Sequence, residues 1–278
     1  MKKYLLITIL LVTFLFASCK KNYSLGGYSR YNYTNSDKYQ ILNQNKKLRL
    51  ENGDIMNIDI DYLTGDINFI KTNEDTISLE EQIKEEMQEN DLLHYFLDEK
   101  TLKLKYAKSN KRYKIPTIKK VLNIYIPENI ELKELKITTI SGDLNVNDIK
   151  LTNLKVETVS GNSSFKNLSS SSFDLNSVSG NIEISNTIVE TIEIETISGT
   201  CNLNKSTINK EAKFNSVSGS IILKEMNNVN YNIVFDTVSG VFYSKLKYDY
   251  NDEHYVFGNG SINVKVETVS GDFSLKQG

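Results

Sequence analysis

Thr-Ile-Ser-Gly at 139–142, Thr-Val-Ser-Gly at 158–161 and Ser-Val-Ser-Gly at 177–180 are three copies of one tetrapeptide. It returns at 196–199, 216–219, 237–240 and 268–271. Successive glycines lie 19, 19, 19, 20, 21 and 31 residues apart. A period in this range marks a solenoid, in which each repeat is one coil and neighbouring coils complete each other's core.

Columns counted from each glycine describe the coil. Five residues before it stand Ile137, Val156, Leu175, Ile194, Phe214, Phe235 and Val266. Seven before it stand Leu135, Leu154, Phe173, Ile192, Ala212, Ile233 and Val264, and every residue four before it is polar. Two after it stand Leu144, Ser163, Ile182, Cys201, Ile221, Phe242 and Phe273. This is alternation of period two on both sides of the glycine, so each coil carries two short half-buried strands. The pattern predicts an all-β chain: a single-stranded parallel β-helix, or β-solenoid, with coils of about 19 residues. The Ile or Val two before each glycine is out of phase with the strand, which predicts a corner where a Cβ would be hindered at Gly142, Gly161, Gly180, Gly199, Gly219, Gly240 and Gly271. The serine and threonine hydroxyls are expected to bond from coil to coil.

Outside the regular repeats of 130–278 the pattern loosens. Residues 47–129 read as irregular N-terminal coils of the same domain, with Thr64-Gly65-Asp66 as a degenerate first corner. Residues 76–98 interrupt them; Ser78 three before Glu81 has the form of a helix start, so a short helix or a long excursion is expected. Strand pattern returns at 102–106 and 121–126, where Pro127 stops it. Residues 19–46 are polar, rich in Tyr, Asn and Ser, and read as a tether. Residues 1–18 begin with Lys2 and Lys3, continue with an apolar run from Leu5 to Phe16, and end in Ala17-Ser18 before Cys19. The run is short for a membrane span and has the form of an export signal.

The formal charge of −2 leaves no basic excess for nucleic acid. Two cysteines, Cys19 and Cys201, imply no disulfide framework, and Cys201 falls in a core column. His94 and His254 lie in unrelated stretches without metal-ligand spacing and read as surface residues. Serines used seven times in register, with no repeated base beside them, are a structural device. Asp143, Asn162, Asn181 and Asp272 follow glycines, but only two of the seven corners carry Asp there, too few for a calcium stack. The expectation is therefore no catalytic residues, no metal and no cofactor. The last interval holds extra residues in 242–262, with Tyr243, Tyr248, Tyr250, Tyr255 and Phe257 beside Asp249, Asp252 and Glu253. These form either a candidate recognition loop or a plain hairpin that shields the final coils.

Ser141-Gly142-Asp143-Leu144-Asn145-Val146, Ser179-Gly180-Asn181-Ile182-Glu183-Ile184 and Ser270-Gly271-Asp272-Phe273-Ser274-Leu275 resemble the bacterial putative-adhesin domain family of β-solenoids, and the resemblance spans 48–278. The N-terminal segment resembles a bacterial lipoprotein signal, with Phe16 where that motif usually has Leu; its cleavage would leave Cys19 as the lipidated first residue. Together these resemblances imply a non-catalytic, membrane-anchored scaffold at the cell envelope that binds a protein or glycan ligand. A periplasmic envelope-stress or signalling component binding another protein is the alternative, and a carbohydrate-active enzyme the third.

Overall fold

The structure, a computed structural model, describes residues 28–50, 55–114 and 120–277. Each regular coil is a long strand, the Ser-Gly corner, a short strand and a second corner. One coil runs through Lys150–Thr158 and Ser163–Lys166, and the next through Ser169–Ser177 and Ile182–Ser185. Long strands stack in parallel into a 13-stranded sheet and short strands into an 11-stranded sheet. The register advances by one repeat per coil: Leu154 faces Phe173 and Val156 faces Leu175. Inward positions of both sheets form one continuous apolar core, closed by pairs such as Phe165 and Phe173, whose rings meet edge-on at 4.8 Å. The 20-residue interval is absorbed by a register shift between Val189 and Thr191. No helix among the described residues is long and apolar enough to cross a membrane.

The corner glycines line up along the stack. A Cβ built on Gly161 would lie 2.1 Å from the carbonyl oxygen of Gly142, and one on Gly180 would lie 2.0 Å from that of Gly161. Gly161 and Gly180 also hold φ of 109° and 117°, which L side chains rarely adopt. Gly142 stacks on Gly65 in the same way, so the degenerate corner at 64–66 is the first of the column. Serine hydroxyls do bond between coils, but to backbone: Ser160 Oγ donates to Ile140 O at 3.1 Å and Ser179 Oγ to Val159 O at 3.2 Å. Two column residues reach a neighbouring hydroxyl instead: Ser141 Oγ donates to Thr64 Oγ1 at 3.0 Å and Thr268 Oγ1 to Thr237 Oγ1 at 2.9 Å.

Spatial order departs from sequence order at both ends. Ile262–Thr268 lies between Thr207–Ser216 and Tyr231–Thr237, so the last repeat in sequence fills the penultimate rung. Gly271 accordingly sits on Gly219, and Gly240 on Gly271. At the other end Asn57–Thr64 lies between Thr101–Lys105 and Glu131–Ser141. The chain lays down the Gly65 rung first, then the outer rung of Thr101–Lys105 and Lys120–Pro127, and then crosses back to continue the stack.

The outer N-terminal rung is covered on both sheets. His94–Asp98 pairs antiparallel with Thr101–Lys105, and Ser78–Ile83 pairs antiparallel with Lys120–Pro127. The expected helix in 76–98 is therefore absent apart from a 3₁₀ turn at Glu89–Asp91. The reason is Glu81, which does not reach back to cap Ser78. Its side chain is buried, accepting from Lys120 Nζ at 3.0 Å, Tyr62 Oη at 2.9 Å and Leu93 N at 2.8 Å. Part of the segment read as a tether also packs here. Tyr28–Tyr31 pairs with Lys111–Lys114, Gln40–Ile41 pairs with His94 and Tyr95, and Tyr31 and Leu42 are buried. Tyr33, Tyr39 and Phe96 form a chain of ring contacts over this end. His94 is buried rather than on the surface; its Nδ1 lies 2.9 Å from Leu92 O, and burial pulls its pKa below the usual value.

Candidate functional site at the open end of the stack

Most of the repeated polar side chains are consumed by the stack itself. Asp143 Oδ1 accepts from Asn162 N at 2.9 Å, Asn162 Oδ1 from Asn181 N at 3.1 Å, and Asn181 Oδ1 from Thr200 N at 3.0 Å. Where the residue after the glycine is Asp or Asn it thus ties its corner to the next, which accounts for those residue types without a cation. Among the described residues no cluster of His, Cys, Asp and Glu has the geometry of a metal site. Cys201 is buried in its core column and burial pushes its thiol pKa well up, so it is not a poised nucleophile.

The two ends of the stack differ. On the 13-stranded sheet the last rung is covered: His254–Val256 pairs antiparallel with Tyr231–Thr237, and Asp249–Asn251 pairs antiparallel with His254–Val256. On the 11-stranded sheet the last rung is Phe242–Ser244, and among the described residues no strand covers its outer edge. The chain between 242 and 257 therefore shields one sheet and leaves the other open.

Period-two alternation sorts the aromatic residues of this segment. Phe242 points inward, stacked on Phe273 at 5.1 Å with rings 15° apart, and edge-on to Tyr255 at 4.5 Å. Phe257 is 1% exposed and Tyr255 half-buried, so these two members of the candidate recognition loop belong to packing. Burial raises the Tyr255 pKa, with Tyr250 and Tyr248 adding to the shift. Tyr243, Tyr248 and Tyr250 remain exposed at 47%, 40% and 61%, with Val238 and Val241 exposed nearby. Tyr248 packs on Tyr255 and Phe257, and Tyr250 packs on Tyr255. Tyr243 takes the outward face of its strand and lines a cavity of about 480 Å³ together with Lys245, Leu246, Lys276 and Gln277.

Lys276 and Gln277 lie outside the inserted segment, and Lys245 lies inside it but apart from its aromatic and acidic residues. A signal for the lysines is nevertheless present in the columns, because the residue five after the glycine is Lys224, Lys245 and Lys276 in the last three repeats. Lys224 faces Lys276 directly, and Lys245 follows one step beyond the Ser244–Leu275 pair. Lys224 is held by Glu225 at 3.2 Å, whereas among the described residues Lys245 and Lys276 have no salt bridge. His254 does not join this site; it contacts Asn232 Oδ1 at 2.7 Å on the other sheet.

A single stack of parallel coils, sealed inside and closed by antiparallel strands at its N-terminal end, defines the class: a β-solenoid whose variable chemistry lies outside. The chain belongs to the Toastrack DUF4097 family, whose model matches residues 55–276. Three solved structures are similar to it at low sequence identity. A putative cell adhesion protein from Clostridium sporogenes ATCC 15579 is 16% identical with a TM-score of 0.38, over 84% of this chain and 98% of that one. A putative adhesin from Bacteroides fragilis NCTC 9343 is 14% identical with a TM-score of 0.43, over 84% and 99%. Another from Parabacteroides merdae ATCC 43184 is 15% identical with a TM-score of 0.43, over 84% and 95%. No curated protein matches the chain.

Proposed function

We propose that this protein is a non-catalytic binding scaffold of the bacterial cell envelope, an adhesin in the broad sense, tethered through lipid on Cys19. The observation that carries the reading is the division of labour in the stack. Corner serines, glycines and Asp/Asn residues are committed to coil-to-coil bonds, while one end keeps exposed tyrosines and unpaired lysines. Such a rod holds a recognition surface away from its attachment point without needing internal motion. Cys19 and the export signal lie outside the described residues, so the anchor rests on the sequence pattern alone.

Two measurements on cells test the reading. Labelled palmitate should enter the wild-type protein and not the Cys19→Ala variant. Protease applied to intact cells should release peptides from 242–262. A Cys19→Ala protein that is still labelled sinks the anchor, and a chain wholly protected in intact cells sinks outward-facing adhesion. In the second case a protein ligand inside the envelope becomes the better reading.

A further inference from the structure

We infer that the open end of the stack binds an acidic saccharide, with Tyr243, Lys245, Lys276 and Gln277 as its contacts. The inference rests on the scaffold reading above and assigns its ligand a chemical class.

Three features of the cavity converge. The first is charge. Lys245 and Lys276 lie on adjacent rungs, ~4.8 Å apart along the stack, and among the described residues neither has a carboxylate partner. Two neighbouring ammonium groups repel, and a carboxylate or sulfate between them relieves that repulsion while accepting a hydrogen bond from each. Lys224 continues the row on the third rung, already neutralised by Glu225. A polyanion with one charge per sugar would therefore meet its first charges at Lys245 and Lys276, because a pyranose residue is about as long as a rung is high.

The second feature is the ring beside the charges. Tyr243 is on the outward face of its strand and Phe242 already fills the core position, so the phenol is not needed for packing. An exposed aromatic face next to the half-buried Leu246 offers an apolar wall to the C–H face of a sugar, while Gln277 supplies an amide for its hydroxyls. The third feature is the missing strand. An antiparallel strand over Phe242–Ser244, like the one that covers Tyr231–Thr237, would take up the backbone groups of this edge, and among the described residues none does, so they stay open to a ligand's hydroxyls. The hairpin tip carries Asp249, Asp252 and Glu253, but those strands sit on the other sheet. The charged side chains that line the cavity are Lys245 and Lys276.

The test uses the full chain in detergent and calorimetric titration with a tetragalacturonate. Its fully methyl-esterified form, a sulfated tetrasaccharide and a tetraglutamate peptide serve as comparators. Binding by the tetragalacturonate, weakened on the order of tenfold or more by esterification, by Lys245→Gln with Lys276→Gln, and by Tyr243→Ala, supports the inference. A sulfated sugar that binds with the same dependence on these residues supports it with sulfate as the preferred anion. The altered positions are exposed, so thermal unfolding should match wild type and loss of fold is not the cause. Three results overturn the inference: no heat with either acidic sugar at millimolar concentration, binding indifferent to the three substitutions, or equal affinity for the peptide. None of these touches the scaffold reading, which stands or falls on palmitate labelling and surface proteolysis.

Discussion

At the scale of single residues, the second corner of each coil is as informative as the first. Asp148, Asn167, Asn186, Lys205 and Glu225 stand six residues after their glycines, and all five hold positive φ between 49° and 58°. Asn and Asp tolerate this left-handed region better than other residues with a Cβ, so the first three suit their place and the last two are strained. Asn167 Nδ2 also donates to Asp148 Oδ1 at 2.7 Å, a bond between two neighbouring corners. Lys205→Asn is therefore expected to stabilise the fold by about 0.5–1 kcal/mol, read as a higher urea midpoint with an unchanged slope. Gly161→Ala should do the reverse: a Cβ 2.1 Å from backbone at φ 109° costs on the order of 3 kcal/mol or more. A third prediction concerns Asp174, whose pKa is raised first by burial and then by Glu193, Glu195 and Glu157, against the pull of Lys155. Its folded pKa exceeds its unfolded one, so the folded chain binds more protons between the two values and stability falls as pH rises through that window. Asp174→Asn should raise the melting temperature at pH 7 and lose that advantage below the ordinary carboxylate range. An advantage that persists at pH 3 would assign it to something other than ionisation.

At the scale of elements, the regular coils were legible because the period-two columns on both sides of each Ser-Gly pair leave one way to bury the apolar face. The capping strands were not, and Ser78–Ile83 shows why. Leu79, Glu81 and Ile83 are its inward positions at a spacing of two, but one of them is charged. A sequence reader assigns such a residue to a solvent face, and only the spatial neighbour Lys120, 39 positions away, makes the carboxylate an inward group. Lys120 is itself fully buried, donating to Tyr106 O at 2.9 Å and Asp91 O and lying over the Tyr106 ring at 4.0 Å. Its carbonyl oxygen also faces Gly65, so the ion pair sits where the glycine column ends. Burial lowers the Lys120 pKa while Glu81 opposes the shift, so the pair holds by mutual compensation. Lys120→Met leaves Glu81 buried without its cation and should cost about 3–5 kcal/mol. Adding Glu81→Gln, which keeps an acceptor for Tyr62, should restore at least half of that. Equal stability of the single and double variants in urea would show that the pair is not coupled.

At the scale of the whole molecule, the exchange of rungs changes what the C-terminus does. The columns reveal that seven coils stack, but they do not reveal the stacking order, since each corner repeats the same Ser-Gly pair. What differs is the connection: 21 residues separate Gly219 from Gly240, yet 31 separate Gly240 from Gly271, enough to pass outside a rung and return beneath it. In an ordinary solenoid, deleting the last repeat shortens the rod and leaves the other interfaces intact. Here Ile262–Thr268 and Phe273–Lys276 pair on both sides, so deleting 261–278 opens a gap one rung high between Thr207–Ser216 and Tyr231–Thr237. The outer rung would lose its parallel partners on both sheets and the ring contacts of Phe235 and Phe242 with Phe273. A chain ending at residue 260 should therefore lose hydrogen-exchange protection at Tyr231–Thr237 and Phe242–Ser244 by several orders of magnitude, while Lys150–Thr158, four rungs from the gap, keeps nearly all of its own. It should also bind acidic sugar no better than the Lys245→Gln, Lys276→Gln variant, because half the site is gone and the other half has lost its support. Retained protection at Tyr231–Thr237 would mean that this strand has settled directly on Thr207–Ser216, and that the order of the rungs is a matter of chain connection rather than of side-chain fit.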